Sequence, residues 1–171
     1  MKTMKKFKFT LANDIEKEAN WLTEMSAKGF HFFKYNWGFY YFEEDHTKSY
    51  IYQTDFQDAD EEYFELYKQT GWEHVHTEIS QYHYFRADKN TIGDKRIYSD
   101  PASVKGMYQR MLYFYIAIFI GMVVAQTGLF VSWDGETYQK IALAFVMAVL
   151  LLYIYLFIRL LQKMRKNEKL S

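Results

Sequence analysis

The chain has 171 residues, of which 21 are basic and 21 acidic, so its formal net charge is zero. Half of it is apolar, with no Cys and one Pro, which excludes a disordered chain, a disulfide scaffold, a thiol nucleophile, an iron–sulfur cluster and a Cys-based zinc site. With a mean hydropathy of −0.33 and a pI near 7.0, the averages describe an ordinary soluble domain with no global attraction to nucleic acid.

In chain order, Lys5–Phe9 reads as a short strand. Asn13 and Glu16 form a capping box that opens a helix. Ile15, Ala19, Leu22, Met25 and Ser26 make its apolar stripe, and Gly29 its stop. Phe30–Lys34 and Phe39–Phe42 are strands around an Asn36-Trp37-Gly38 turn. The same order then recurs. Ser49–Thr54 is a strand, and Asp58 with Glu61 is a second capping box. Tyr63, Leu66, Tyr67 and Thr70 form a helical stripe that stops at Gly71. Trp72–Thr77 and Gln81–Ala87 are the last two strands. Gly29-Phe30 matches Gly71-Trp72 at an offset of 42, and Phe39–Asp45 matches Tyr82–Asp88 at an offset of 43. The difference is one residue inserted in the second hairpin. A strand–helix–strand–strand unit cannot bury a sheet face alone. Two copies side by side predict an α+β domain over residues 1–88, an antiparallel sheet with both helices on one face.

The zero charge hides two opposite halves. Residues 1–88 carry 10 basic and 16 acidic side chains, a net of −6, and residues 89–171 carry 11 and 5, a net of +6. A basic linker and membrane-surface helix over 89–110, started by Asp100-Pro101, leads into an uncharged run, 111–131. A short loop, 132–140, precedes a second apolar run, 141–161, and a basic tail, 162–171. Spanning hydrocarbon takes about 20 residues, so both runs read as transmembrane helices. The N-terminus has no apolar core of a cleaved signal peptide. Lys89, Lys95, Arg96, Lys105 and Arg110 precede the first span, and Arg159, Lys163, Arg165, Lys166 and Lys169 lie at or beyond the end of the second, whereas the loop has Asp134 and Glu136, with Lys140 at its end. The positive-inside rule predicts a multi-pass inner-membrane protein with both termini cytoplasmic. Ala117, Gly121 and Ala125, and Ala144 with Ala148, form small-residue strips for helix packing, the hairpin's own interface first.

Aromatics occupy both parities of the strands, and helices cover only one face. Two readings stand for the rest: half-buried strand tyrosines with wet hydroxyls, or a binding face. The candidate ligand or partner surface is Trp37, Tyr40, Tyr50, Tyr52, Trp72, His74 and Tyr82. His74 and His76, two apart on one predicted strand, share a face with His83 nearby, yet no carboxylate completes a metal motif. Asp58, Asp60, Glu61, Glu62 and Glu65 suit a helix N-terminus better than a calcium loop. Phosphate-loop, dinucleotide, serine-hydrolase and zinc-protease motifs are missing. No enzyme, metal or cofactor is therefore expected.

A distinctive order runs through the chain: Trp21-Leu22-Thr-Glu-Met25-Ser-Ala-Lys-Gly29-Phe30, the hairpin ending Phe39-Tyr40-Tyr41-Phe42, Gly71-Trp72, Asp100-Pro101-Ala-Ser, then two spans. It resembles an uncharacterised family, a domain of unknown function, of small two-span membrane proteins from Gram-positive bacteria. The family is often encoded beside PadR-type regulators. The duplicated module also resembles GyrI-like ligand-binding domains, which hold ligands in the groove between their copies. The expected function is a membrane-anchored, non-enzymatic accessory or regulatory protein whose cytoplasmic domain binds a protein partner, in an envelope or antimicrobial stress response. The alternative is a sensor binding an amphipathic molecule or lipid between the repeats. Expected partners are membrane lipid and a membrane protein or second copy, with no nucleic acid.

Overall fold

A computed structural model describes residues 2–11, 14–90, 97, 101–131 and 133–168. The chain forms two compact units, 1–100 and 101–171. In the first, the order is β1 (Thr3–Phe7), α1 (Ile15–Ala27), β2 (Phe30–Asn36), β3 (Phe39–Glu44), β4 (Tyr50–Phe56), α2 (Glu61–Gln69), β5 (Glu73–Glu78) and β6 (Tyr82–Asp88). The α+β class and the duplication are as expected. The strands divide, however, into two three-stranded antiparallel sheets, β1-β3-β2 and β4-β6-β5, in place of one.

The repeats match in register. Phe32 pairs with Phe42 and His74 with Phe85, again at offsets of 42 and 43. A bulge follows Phe32 in β2 and follows His74 in β5, at equivalent positions. The first hairpin closes through two residues, Trp37-Gly38, both at positive φ as a type I′ turn requires. The second pairs Glu78 with Tyr82 and so loops through three, the predicted insertion.

The helices begin and pack slightly differently from the prediction. Asn13 lies outside the described residues, and Asp14 is the N-cap of α1. In α2 the cap is Asp60, whose side chain accepts from the Tyr63 amide at 2.9 Å. Asp58 instead accepts from Gln81 Nε2 at 2.7 Å, tying the helix entry to the β5–β6 turn. The α1 stripe is buried as drawn, with Glu18 added to it. In α2 the inward side is Tyr63, Phe64 and Tyr67, against Trp72, Phe85 and Ala87. Leu66 is 59 % exposed, because a two-turn helix offers only one narrow contact line. The Gly71 stop is a Schellman motif: Trp72 N–H donates to Tyr67 O and Gly71 N–H to Lys68 O.

Each helix covers the equivalent face of its own sheet. Trp21 of α1 meets Tyr40 and Phe42 edge-on, and Phe64 of α2 meets His83 and Phe85. The opposite face of the second sheet is covered by Phe32 of the first, whose ring meets Tyr52, His76 and Tyr84, with Glu18 of α1 over the Tyr82 and Tyr84 hydroxyls. Thr23 Oγ1 accepts from Tyr52 N–H (2.9 Å) and Ser26 Oγ from Tyr50 N–H (2.7 Å), which satisfies the free edge of β4. Beside α1 the sheets touch directly, Phe32 against Tyr84 at 4.9 Å. The two sheets thus meet through Phe32, α1 runs along the β4 edge and against the first sheet, and α2 covers the far face of the second. No other described element of this unit lies on the opposite face of the first sheet.

In the second unit, α3 (Pro101–Val131) and α4 (Thr137–Glu168) are continuous helices. Their stretches Ala102–Gly128 and Thr137–Arg165 are long and apolar enough to cross a membrane, with mean hydropathies of 1.7 and 2.8. Phe119 packs against Tyr153 (5.6 Å) and Phe157 (6.2 Å). Ala117, Gly121, Ala125, Ala144 and Ala148 are exposed, so the hairpin is joined by large side chains and not by the small-residue strips. Interlocking rings fill more of a splayed helix interface than alanines can.

Candidate functional site

Between the repeats lies a closed polar hub. Glu18, buried on α1, accepts from the hydroxyls of Tyr84 (2.8 Å), Tyr82 (2.8 Å) and Tyr40. Tyr40 belongs to the first sheet, and Tyr82 and Tyr84 to the second. Burial raises the pKa of all three phenols, and the Glu18 carboxyl raises them further. They remain hydroxyl donors at neutral pH. With Phe32 and Tyr35 stacked alongside, the space between the copies is filled by the chain itself.

A second network ties α2 to its sheet. His83 Nε2 lies 3.0 Å from Gln57 O, a carbonyl, so Nε2 carries the proton. His83 Nδ1 must then accept from Thr77 Oγ1 (2.8 Å), whose oxygen accepts from His74 Nε2–H (2.8 Å). Burial lowers both imidazole pKa values, and His83 lowers that of His74 further. His76 points to the other side of the sheet, with its ring 6.1 Å from Tyr84. The bulge at Val75 reverses the alternation, so His74 and His76 do not share a face, contrary to the expectation from their spacing. Among the described residues no cluster of three or more His, Asp or Glu could hold a metal ion.

The predicted surface residues do not come together. Trp37 tops the β2–β3 hairpin and is 88 % exposed. Tyr40, Tyr52, Trp72 and Tyr82 are buried. Tyr50 is half-buried beneath the Arg86 guanidinium at 4.5 Å, and His74 faces Phe64 of α2. The linker contributes too: Ile97 packs on the Trp72 cluster, and its amide donates to Gln53 Oε1.

What remains open is the outer face of the first sheet. Register places Thr3, Lys5 and Phe7 of β1, Phe39, Tyr41 and Glu43 of β3, and Lys34 and Asn36 of β2 on that side. Phe7 packs edge-on to Phe39 at 5.2 Å, and the Lys5 ammonium sits 3.9 Å from the Phe39 ring centroid. The bulge residue Phe33 reaches Tyr41 at 6.3 Å. Phe7 is 61 % exposed and Phe9 77 %. Gly38 is required twice over, by its φ of +80° and because a Cβ there would run into the Phe7 ring. Apart from Trp37, sequence reasoning missed this set. The available signal was parity: Phe39 and Tyr41 stand at the equivalent positions to Tyr82 and Tyr84, which are buried.

The sequence model of a family described as a protein of unknown function, DUF2812, matches residues 14–120. The chain belongs to the DUF2812 family. The matched region of this DUF2812 protein starts at α1, takes in the whole second repeat and ends within α3. None of the curated proteins and none of the solved structures matches it.

Proposed function

We propose that this DUF2812 protein is a membrane-anchored, non-enzymatic regulatory protein whose cytoplasmic α+β domain is a binding module. Its α3–α4 hairpin crosses the membrane with both termini inside, as the basic flanks and the acidic loop favour. The binding surface is the outer face of the first sheet. One observation carries this: two equivalent sheet faces exist, and the chain buries Tyr82 and Tyr84 on one while leaving Phe7 open beside Phe39 and Tyr41 on the other, with Trp37 exposed at the hairpin tip. The reading in which an amphipath enters between the repeats loses support, because Glu18 and its three tyrosines fill that space. A setting beside a PadR-type regulator, which the family resemblance implies, fits regulation better than catalysis.

The absence of Cys makes a direct test simple. Asn36→Cys puts a single thiol on the open face. A membrane-impermeant maleimide is expected to leave it unlabelled in intact cells. In opened cells it should label more slowly than in the purified, detergent-solubilised chain, because a bound partner covers the face. Labelling from outside would overturn the orientation. Equal rates in opened cells and detergent would overturn the binding module.

A further inference from the structure

We propose that the occupant of this open face is the anionic surface of the bilayer that anchors the chain. The inference rests on the binding-module reading above and names its partner. The domain has two unlike ends. At the α2 end the outward residues include Glu61, Glu62, Glu65 and Lys68, with one exposed Leu66, a polar finish of the kind that terminal repeats use against water. At the other end the sheet presents aromatics rimmed by Lys5 and Lys34, both exposed. Register also sets Glu43 on this side, and Lys6 and Lys8 turn to Trp21 of α1, so the face carries two Lys against one acid, while residues 1–88 as a whole are net −6. A net-negative domain meets an anionic surface most favourably through a face where Lys outnumber acids.

Trp37 sharpens the argument. It holds φ at +47°, a conformation in which Asn or Gly is at home and a bulky side chain is strained. It is also 88 % exposed, so packing does not repay the strain. Its use lies outside the fold. Trp and Tyr beside Lys are the side chains that settle at the headgroup level of a membrane. The bilayer is also the flat partner that the chain itself brings close. Residues 89–100 join β6 to α3, a run of about 40 Å even when fully extended. A second copy fits less well. Two open faces brought together would set Lys5 and Lys34 against their like, and the α2 end offers one Leu to a row of rings.

The test uses the full chain carrying Asn36→Cys, one copy per nanodisc, without other proteins. Discs are made of phosphatidylcholine alone or of phosphatidylcholine mixed with phosphatidylglycerol. Slower maleimide labelling is expected only in the anionic discs, with the rate restored at high salt. Each Lys near such a surface is worth about fivefold in partitioning, so Lys5→Glu with Lys34→Glu should weaken docking by about 25-fold or more. Trp37→Asn should weaken it too, while its Asn-Gly turn keeps the hairpin folded, as circular dichroism would verify. Equal rates in both discs overturn the inference. If protection is then still seen in opened cells, a protein covers the face and the binding module stands. Protection that needs two chains per disc assigns the face to a second copy and likewise overturns the lipid.

Discussion

The carboxyl of Glu18, on the helix of the first repeat, accepts a hydrogen bond from the hydroxyl of Tyr82, on the last strand of the second, at 2.8 Å. The contact spans 64 residues of chain and lies in the interior. Tyr84 and Tyr40 complete the set, so one side chain holds both sheets to α1.

Removing that carboxyl leaves three buried phenols to find other partners. Glu18→Ala is expected to cost about 3 kcal/mol or more, since an unsatisfied buried polar group costs about 1–3 kcal/mol. Glu18→Gln keeps one carbonyl acceptor and should cost less. Urea unfolding of the full chain in detergent, followed by near-UV circular dichroism, checks this. An unchanged midpoint for Glu18→Ala would mean that the repeats are held elsewhere.

The same phenols set an alkaline limit. Tyr40, Tyr82 and Tyr84 have pKa values raised in the fold, chiefly by burial. A raised folded pKa favours the folded state while the unfolded group is still protonated, below about pH 10. That contribution is lost as pH climbs beyond it. Tyrosinate absorbance from these residues should appear together with unfolding, in one cooperative step. Smooth ionisation of the whole tyrosine set with the fold intact would contradict the hub.

The acid side falls on the second repeat. His74 and His83 have pKa values lowered first by burial, with Asp55 and Asp58 opposing the shift at His83. A lowered folded pKa stabilises above the unfolded value of about 6.5 and loses that stability as pH falls. A protonated His83 Nδ1 would also turn a second donor toward the Thr77 hydroxyl. The protection of α2 amides, after division by the pH-dependent intrinsic exchange rate, should therefore fall between neutral pH and about pH 5, before that of α1. Identical pH profiles for the two helices would refute the relay.

Trp37→Asn should stabilise the domain by about 1 kcal/mol, since Asn tolerates the left-handed conformation that strains Trp. A thermal melt of the full chain measures it. A lower midpoint would show that Trp37 packs within the fold.

Much of the architecture was readable from residue order. The gap between offsets of 42 and 43 located the extra residue of the second hairpin, and the α1 stripe named its buried side chains. Local chemistry suffices there, because hydrophobic spacing, glycine stops and turn geometry act within a few residues. The surface residues were another matter. Phe39-Tyr40-Tyr41-Phe42 is aromatic at both parities, so nothing local says which pair turns inward. The His74–His76 spacing misled because one bulge at Val75 cannot be heard in a run of two.

Charge and length alone divide this protein into an acidic aromatic module and a basic-flanked apolar pair, and the repeats follow from sequence self-similarity. Composition and periodicity are sums over neighbours, so a single chain carries them in full. Only the tertiary structure decided that six strands make two sheets, that these meet through Phe32, and that Glu18 closes the groove. It also decided which of two equivalent aromatic faces stays open. Those outcomes depend on contacts between residues many tens of positions apart, such as Glu18 with Tyr82, and no local pattern encodes which of several similar faces is covered.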